Sequence, residues 1–524
     1  MTRFSQKAQC RLDRLALLVA AACAVATACG SSGSPANNAG RGGQAAASAG
    51  GTSGGLAGRS AGEGGATTPA GEAGRSGGLG GSGPAGSSGL AGAGGGAGLT
   101  GVAGFAAAGG RMNAGGAGAP GQGGAGGRGA GPADRNKLDL LFLIDDSASM
   151  KPMQAKLAQE LPSVLSHFAQ DPVTGLPVDL HVGVVSSSMG AGAWGYVNQC
   201  TSHIVDPETT GDYQGSLLQG PGGPHSGACP ALNAGETFLA TGDGMVTGPN
   251  FTGDLGSVFA CMALIGDKGC GFESPFGAVQ AALQRGSTPR DVADGGDPDN
   301  GGFVRPDARL AVVLLTNEDD CSVPATSLLL STAVNSVSDP TGLGALQSYR
   351  CNEFGHLCDD PAGGGGPKVP PPHSVSPTAT AGVTLTGCQS AEDQGRTDPL
   401  VVDAYGNPDP TMGHLVTVES FVTFLKGLKS DPDDVFVAAI AAPPTPYVVI
   451  PQMNSAAMNE IDPVIQHSCT IMTAGGADPE YGDPAVRITQ AVQTFGTSHG
   501  FTQSVCDSSY ASVLTTLAAA IFGG

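Results

Sequence analysis

The chain has 524 residues, 87 of them glycine and one of them tryptophan, and a formal net charge of −21. That charge argues against nucleic acid and anionic membrane surfaces as partners, favours solubility and attracts cations. No His-Glu-x-x-His or inverted equivalent occurs among the nine scattered histidines, so a zinc hydrolase has no motif to stand on.

The first segment reads as a processing signal. Arg3, Lys7, Arg11 and Arg14 form a positive region, and the apolar run Leu15 to Val25 is short for a bilayer span. The small residues Ala26-Thr27-Ala28 before Cys29-Gly30 resemble a bacterial lipobox. Residues 1–28 are therefore expected to be a lipoprotein signal peptide, with Cys29 acylated as the mature N-terminus. An ordinary signal peptide cleaved nearby is the alternative. Gly30, rather than Asp, after the cysteine fits outer-membrane sorting, which places the chain in the cell envelope, lipid-anchored at the surface. From Ser31 to Ala130, 39 of 100 residues are glycine and Phe105 is the lone aromatic. Glycine keeps no three-residue register, so this is not collagen. Such a stretch buries too little apolar surface to order itself. Residues 29–135 are expected to be a disordered tether with a span of roughly 55–60 Å. Gly58-Arg59-Ser60-Ala61-Gly62 within it matches a nucleophile-elbow pattern, but lacks the strand and helix that would give it meaning.

Residues 136–524 have globular composition. Leu138 to Asp145 reads as a strand buried on both faces, as in a parallel sheet covered by helices. A helix follows, with Pro152 in its first turn and Leu157, Leu161, Val164, Leu165 and Phe168 on one face. Val178 to Ser187 is the second strand. Residues 190–271 carry turn signals with little periodicity and are expected to be an insertion. Ser274 to Leu283 is an amphipathic helix, and Arg309 to Thr316 is another fully apolar strand, ending in Asn317, Glu318, Asp319 and Asp320. Residues 321–411, rich in Pro and Gly, form a second insertion. A helix from Leu415 to Leu428, a strand from Val435 to Ala441, a helix from Pro484 to Phe495, a strand from Phe501 to Val505 and a helix from Tyr510 to Ile521 complete the chain. Strands alternating with helices predict an α/β fold with a doubly wound, mostly parallel sheet.

Ten cysteines lie beyond residue 190, an even number that reads as a disulfide set in an exported protein. The pairings expected are Cys200–Cys229, Cys261–Cys270 and Cys469–Cys506. Asp291, Asp294, Asp297 and Asp299 form an acidic loop without EF-hand spacing, read as solvated rather than as a calcium site.

The first strand ends in Asp145-Asp146-Ser147-Ala148-Ser149-Met150. Ligands of open α/β sheets bind beyond the carboxyl ends of the strands, and an oxygen-only set suits a hard divalent cation. Asp145-x-Ser147-x-Ser149 resembles the metal-ion-dependent adhesion site of the von Willebrand factor A domain family. Gly302-Phe303-Val304-Arg305-Pro306-Asp307 before the fourth strand, Asp319-Asp320-Cys321-Ser322 after it, and Asp483-Pro484-Ala485-Val486-Arg487-Ile488 look like the exported A-domain lipoproteins of myxobacteria. The resemblance spans Lys137 to Ile521, apart from the two insertions. It implies that Asp145, Ser147 and Ser149 ligate Mg²⁺, with Ca²⁺ or Mn²⁺ as alternatives. The second loop would contribute Glu273 or Ser274, which the residues leave equal. The third usually gives an aspartate, and here holds Asn317, which removes one charge that Glu318, Asp319 or Asp320 would restore. The function implied is cation-mediated binding of an acidic group on a protein or matrix partner, without catalysis. Two alternatives stand beside it: a structural head whose site is degenerate and metal-free, and an exported hydrolase, which would need a histidine beside Ser147 or Ser322. Ser147 and Ser149 also have a simpler use, as caps of the following helix.

Overall fold

The long apolar runs become the inner strands of a six-stranded sheet: β1 (Asp134–Ile144), β2 (Asp179–Ser186), β3 (Leu239–Ala240), β4 (Ala308–Leu315), β5 (Val435–Ala441) and β6 (Gly500–Ser504). The computed structural model describes residues 133–190, 213–242, 248–323, 329–330, 343–344, 347–363, 365–378, 382–392, 415–453, 460–471 and 480–523, all in the unit Ala117–Gly524. Cys29, the expected signal segment, the glycine-rich stretch and Cys200 fall outside the described residues.

The spatial order is β3-β2-β1-β4-β5-β6. All pairs are parallel except the short edge strand β3, which runs antiparallel to β2. β1 is paired on both edges, by β2 and β4, and helices cover both its faces, so Leu138 to Ile144 are wholly buried. This is why its sequence is a continuous apolar run rather than an alternating one. Alternate residues then feed two cores. Leu140, Phe142 and Ile144 meet helices α1 (Lys151–Val164), α2 (Leu255–Met262) and α6 (Ala511–Gly523). Leu141 and Leu143 face α3 (Pro275–Gly286), α4 (Val418–Gly427) and α5 (Val486–Gln493). On that second face Phe276 of α3 stacks on Phe421 of α4, ring centroids 4.1 Å apart.

The order 3-2-1-4-5-6 has a consequence for function. From β1 the chain moves through α1 to β2; from β4 it moves through α4 to β5 on the other side. The connections diverge between β1 and β4, which opens a crevice at their carboxyl ends. Register places the groups around it: Ile144 pairs with Ser186 on one side and Leu315 on the other. Asp145, Ser187 and Thr316 are therefore neighbours by construction.

The expected insertions hold more regular structure than their turn-rich sequences suggest. Residues 190–271 supply β3 and α2, and Gly256 of α2 lies so close to α1 that a Cβ there would sit 2.4 Å from the Cα of Pro162. Beyond β5, Tyr447–Met453 pairs antiparallel with Ile461–Ile465 and with Val383–Leu385 from the second insertion. Cys469–Ile471 pairs with Glu480–Gly482. Most of these strands are only three to five residues long, and Val383–Leu385 finds its partner more than sixty residues along the chain, so local periodicity did not reveal them.

Two of the three expected disulfides require correction. Cys229 bonds Cys261, which excludes both Cys200–Cys229 and Cys261–Cys270; Cys270 is disulfide-bonded, but not to Cys261. Cys469–Cys506 forms as expected, and Cys321–Cys351 and Cys358–Cys388 fix the second insertion. Each of these four bonds joins cysteines that are consecutive along the chain, so proximity in sequence was a sound guide; the expectation failed on the frame, since Cys229 pairs forward with Cys261 rather than back with Cys200. No helix among the described residues is long and apolar enough to cross a membrane.

Candidate functional site

Immediately after β1, Asp145 is buried at the crevice floor. Its backbone N–H donates to the Leu315 carbonyl, 2.9 Å, which continues the β1–β4 ladder and fixes the carboxylate. Oδ1 accepts from the Ser147 N–H at 2.7 Å and from the Ser187 hydroxyl at 3.4 Å; Oδ2 accepts from the Thr316 hydroxyl at 2.8 Å. Burial pushes the carboxyl pKa up, and these donors offset part of that rise.

Ser147 and Ser149 do not cap α1. Its N-cap is Met150, with no side-chain cap hydrogen bond. The two hydroxyls instead lie 3.4 Å apart, and Ser149 meets Asn317 from the end of β4, the amide nitrogen lying 3.0 Å from its hydroxyl and the amide oxygen 3.4 Å. Ser147 is buried while Ser149 is partly exposed, so the cluster opens to solvent on the Ser149 side. Asn317 Nδ2 also donates to the Tyr481 carbonyl, 3.1 Å, which brings Tyr481 to the cluster. Asp145, Ser147, Ser149 and Asn317 therefore converge.

Of the alternatives in the second loop, Glu273 faces the cluster and Ser274 does not. The Ser274 hydroxyl turns to the carbonyls of Phe272 and Cys321, both 3.4 Å away. Glu273 is 1 % exposed, its Oε1 has no hydrogen-bond partner, and it lines a small cavity together with Glu318. Burial first, then the charges of Glu318 and Asp145, holds Glu273 well above the carboxylate range. Glu318 is pushed up to about 8 by burial and by Asp483.

Asp319 takes another role from the one expected. Its oxygens accept from the N–H groups of Arg487 (2.8 Å) and Ile488 (3.1 Å) in the first turn of α5, and from His356 Nε2 at 2.8 Å. Burial alone would raise its pKa; the His356 hydrogen bond and charge outweigh that and lower it. Asp320 similarly receives the Phe276 N–H at the start of α3, 3.0 Å, and lies 3.2 Å from Arg487 Nη2. The acidic run after β4 thus anchors two helix N-termini, where the helix dipole favours negative charge. Only Asn317 and Glu318 turn toward the crevice.

Asp146 was missed as a site residue. It is buried beside Asp145, accepting from the hydroxyls of Ser186 (2.6 Å) and Ser188 (3.0 Å), and burial pushes its pKa up to about 7. Gly269 packs against it so closely that a Cβ there would lie 2.3 Å from Oδ1. Thr316 and Tyr481 were also missed as contributors, whereas Glu318 was among the three acids expected to offset Asn317; the doublet Asp145-Asp146 was the one local signal for Asp146, and Tyr481 had none.

The charges are unevenly matched. Asp139, buried within β1, has Arg305 at 2.8 Å and Lys429 at 3.2 Å. Asp145, Asp146 and Glu273 are equally buried, Glu318 is partly exposed, and among the described residues no salt bridge reaches any of the four. No group of three or more His, Cys, Asp or Glu side chains is disposed to hold a metal ion among the described residues. A cation at Asp145 would thus rest on one carboxylate with hydroxyl and amide oxygens, a donor set suited to a hard cation. The orphaned Glu273 oxygen and the unmatched carboxyls beside it fit a positive charge at this place.

The acidic loop at residues 291–299 is accounted for without an ion: Asp297 and Asp299 pair with Arg285 at 2.6 and 3.2 Å, and Asp291 accepts from the Ala293 N–H. The Ser322 hydroxyl bonds Asp320 and the Gly277 N–H, and His181 bonds the Phe303 carbonyl. No family model matches the chain, and no curated protein matches it.

Proposed function

We propose that this chain is an exported, lipid-anchored protein whose head, similar to a von Willebrand factor A domain, binds a partner through a divalent cation held at Asp145. The observation that supports this reading is the meeting of Asp145, Ser147, Ser149 and Asn317 at the β1/β4 crevice, beside the buried carboxyls of Asp146 and Glu273, which have no salt bridge among the described residues. Asp145, Ser147 and Ser149 would hold the ion, with Asn317 contributing its amide oxygen and Glu273 a nearby negative charge. The ion, most simply Mg²⁺, would supply a vacant position for an acidic group of a protein or matrix polymer. Ser149, on the solvent side, marks where that group would arrive. Cys29 and the glycine-rich stretch would then hold the head away from the membrane.

A second reading has its own observation. Asn317 satisfies Ser149 and the Tyr481 carbonyl directly, so the cluster closes on itself without an ion, as a structural head would. Calorimetric titration of metal-stripped protein with Mg²⁺ and Mn²⁺ separates the two. Saturable uptake that Asp145→Ala abolishes supports the cation site; no uptake at millimolar ion assigns the structural role. The hydrolase alternative gains no observation, since the hydrogen bonds of Ser147 and Ser322 run to Asp, Ser and backbone groups.

A further inference from the structure

Beside the Asp145 cluster lies a groove of about 320 Å³, walled by the Tyr447–Met453/Ile461–Ile465 hairpin and by residues 347–352. Tyr481 belongs to both places: its carbonyl accepts from Asn317 of the cluster at 3.1 Å, and its ring lines the groove, stacked on His467 at 3.9 Å. Among the described residues four carboxamides line it as well, from Gln347, Asn352, Gln452 and Gln466, and no Lys or Arg does. Two carboxylates are present there: Asp483 pairs with His467 Nδ1 at 2.6 Å, and Glu318 also lines the small cavity beside Glu273.

From this lining we infer that the groove is a saccharide subsite, and that the partner of the proposed cation site is an acidic polysaccharide. The inference rests on the cation reading and names its ligand class. A sugar hydroxyl is donor and acceptor at once, and so is a carboxamide; four of them around an aromatic stack match a hydroxyl-rich ring with apolar C–H faces. A peptide held by apolar anchors would need deeper apolar pockets than Ile450, Val464 and Ile465 provide. With one uronate carboxylate on the ion at Ser149, the next ring of the polymer falls into the groove across Tyr481. Without the ion, the uronate carboxylate has no counter-charge at Ser149, so binding requires both.

The test uses the full chain in detergent, titrated first with Mg²⁺ alone and then, in Mg²⁺, with a galacturonate trisaccharide, maltotriose and an aspartate-containing tripeptide. Gln452→Ala/Gln466→Ala is the matched variant; both residues are exposed and stand outside the cation cluster. Mg²⁺ uptake is expected to be unchanged in the variant. The galacturonate should bind only with Mg²⁺, better than maltotriose, and roughly tenfold more weakly in the variant, as expected for two lost hydrogen bonds. Mg²⁺ uptake without galacturonate binding, or equal galacturonate affinity in the variant, overturns the saccharide assignment alone. So does a tripeptide that binds more tightly than the trisaccharide and loses affinity in the variant. Absence of Mg²⁺ uptake overturns the cation reading and this inference with it.

Discussion

Asp146→Asn should make the protein more stable at alkaline pH and should flatten its pH dependence. In the folded chain Asp146 has no cationic neighbour, and burial raises its pKa from 3.8 to about 7. A carboxyl with a raised folded pKa contributes stability that is fully present below the unfolded pKa and lost as pH rises through the folded one. The folded state binds the extra proton over about pH 4 to 7, so stability falls as pH climbs through that window. Between pH 5 and pH 8 the loss from this group alone is about 2–3 kcal/mol, at about 1.4 kcal/mol per pKa unit. Asparagine retains an acceptor for Ser186 and Ser188 and cannot ionise. Urea denaturation midpoints in EDTA, measured at half-unit steps for both proteins, give the comparison. The difference between wild type and variant should widen from pH 5 to pH 8 in favour of the variant. A difference that stays constant across that range would refute the claim that Asp146 is strained by uncompensated burial. The slope that remains in Asp146→Asn should still be negative, because Glu273 and Glu318 are raised in the same direction.

A divalent cation should reverse that trend. At pH 8, Mg²⁺ at one hundred times its dissociation constant should stabilise the wild type by about 2.7 kcal/mol, and a thermal scan of Asp145→Ala should show no such rise. Arg487→Leu should destabilise by about 3–5 kcal/mol, because it leaves Asp320 buried without its partner; the double variant Arg487→Leu/Asp320→Asn, unfolded in parallel, should recover much of the loss. Cys469→Ser/Cys506→Ser should cost about 3–4 kcal/mol for a separation of 37 residues. Because that disulfide ties down the strand leading toward Tyr481, Mg²⁺ affinity measured by calorimetry should weaken as well. Phe421→Ala, which removes the ring stacked on Phe276, should lower stability by about 3–5 kcal/mol while leaving Mg²⁺ uptake intact.

The sequence by itself determined the inner strands and helices. Leu138 to Ile144 and Arg309 to Leu315 are apolar without alternation, which only burial on both faces allows, and the strand from Val435 to Ala441 was legible to the residue. It also located Asp145, Ser147 and Ser149, since a carboxylate and two hydroxyls directly after a buried strand stand at the edge where parallel sheets bind ligands. The tertiary structure decided the rest. It set Glu273 beside Asp145 and Ser274 away from it, turned Asp319 to the N-terminus of α5, joined Cys229 to Cys261, and brought in Asp146, Thr316 and Tyr481. Tyr481 lies more than 330 residues along the chain from Ser149, and its place depends on a two-strand pairing with no periodic signature. Periodicity reports how each segment meets the core as a whole. Which distant segments meet each other is set by strand order, register and the direction in which each loop leaves the sheet, and those appear only when the chain is closed into its fold.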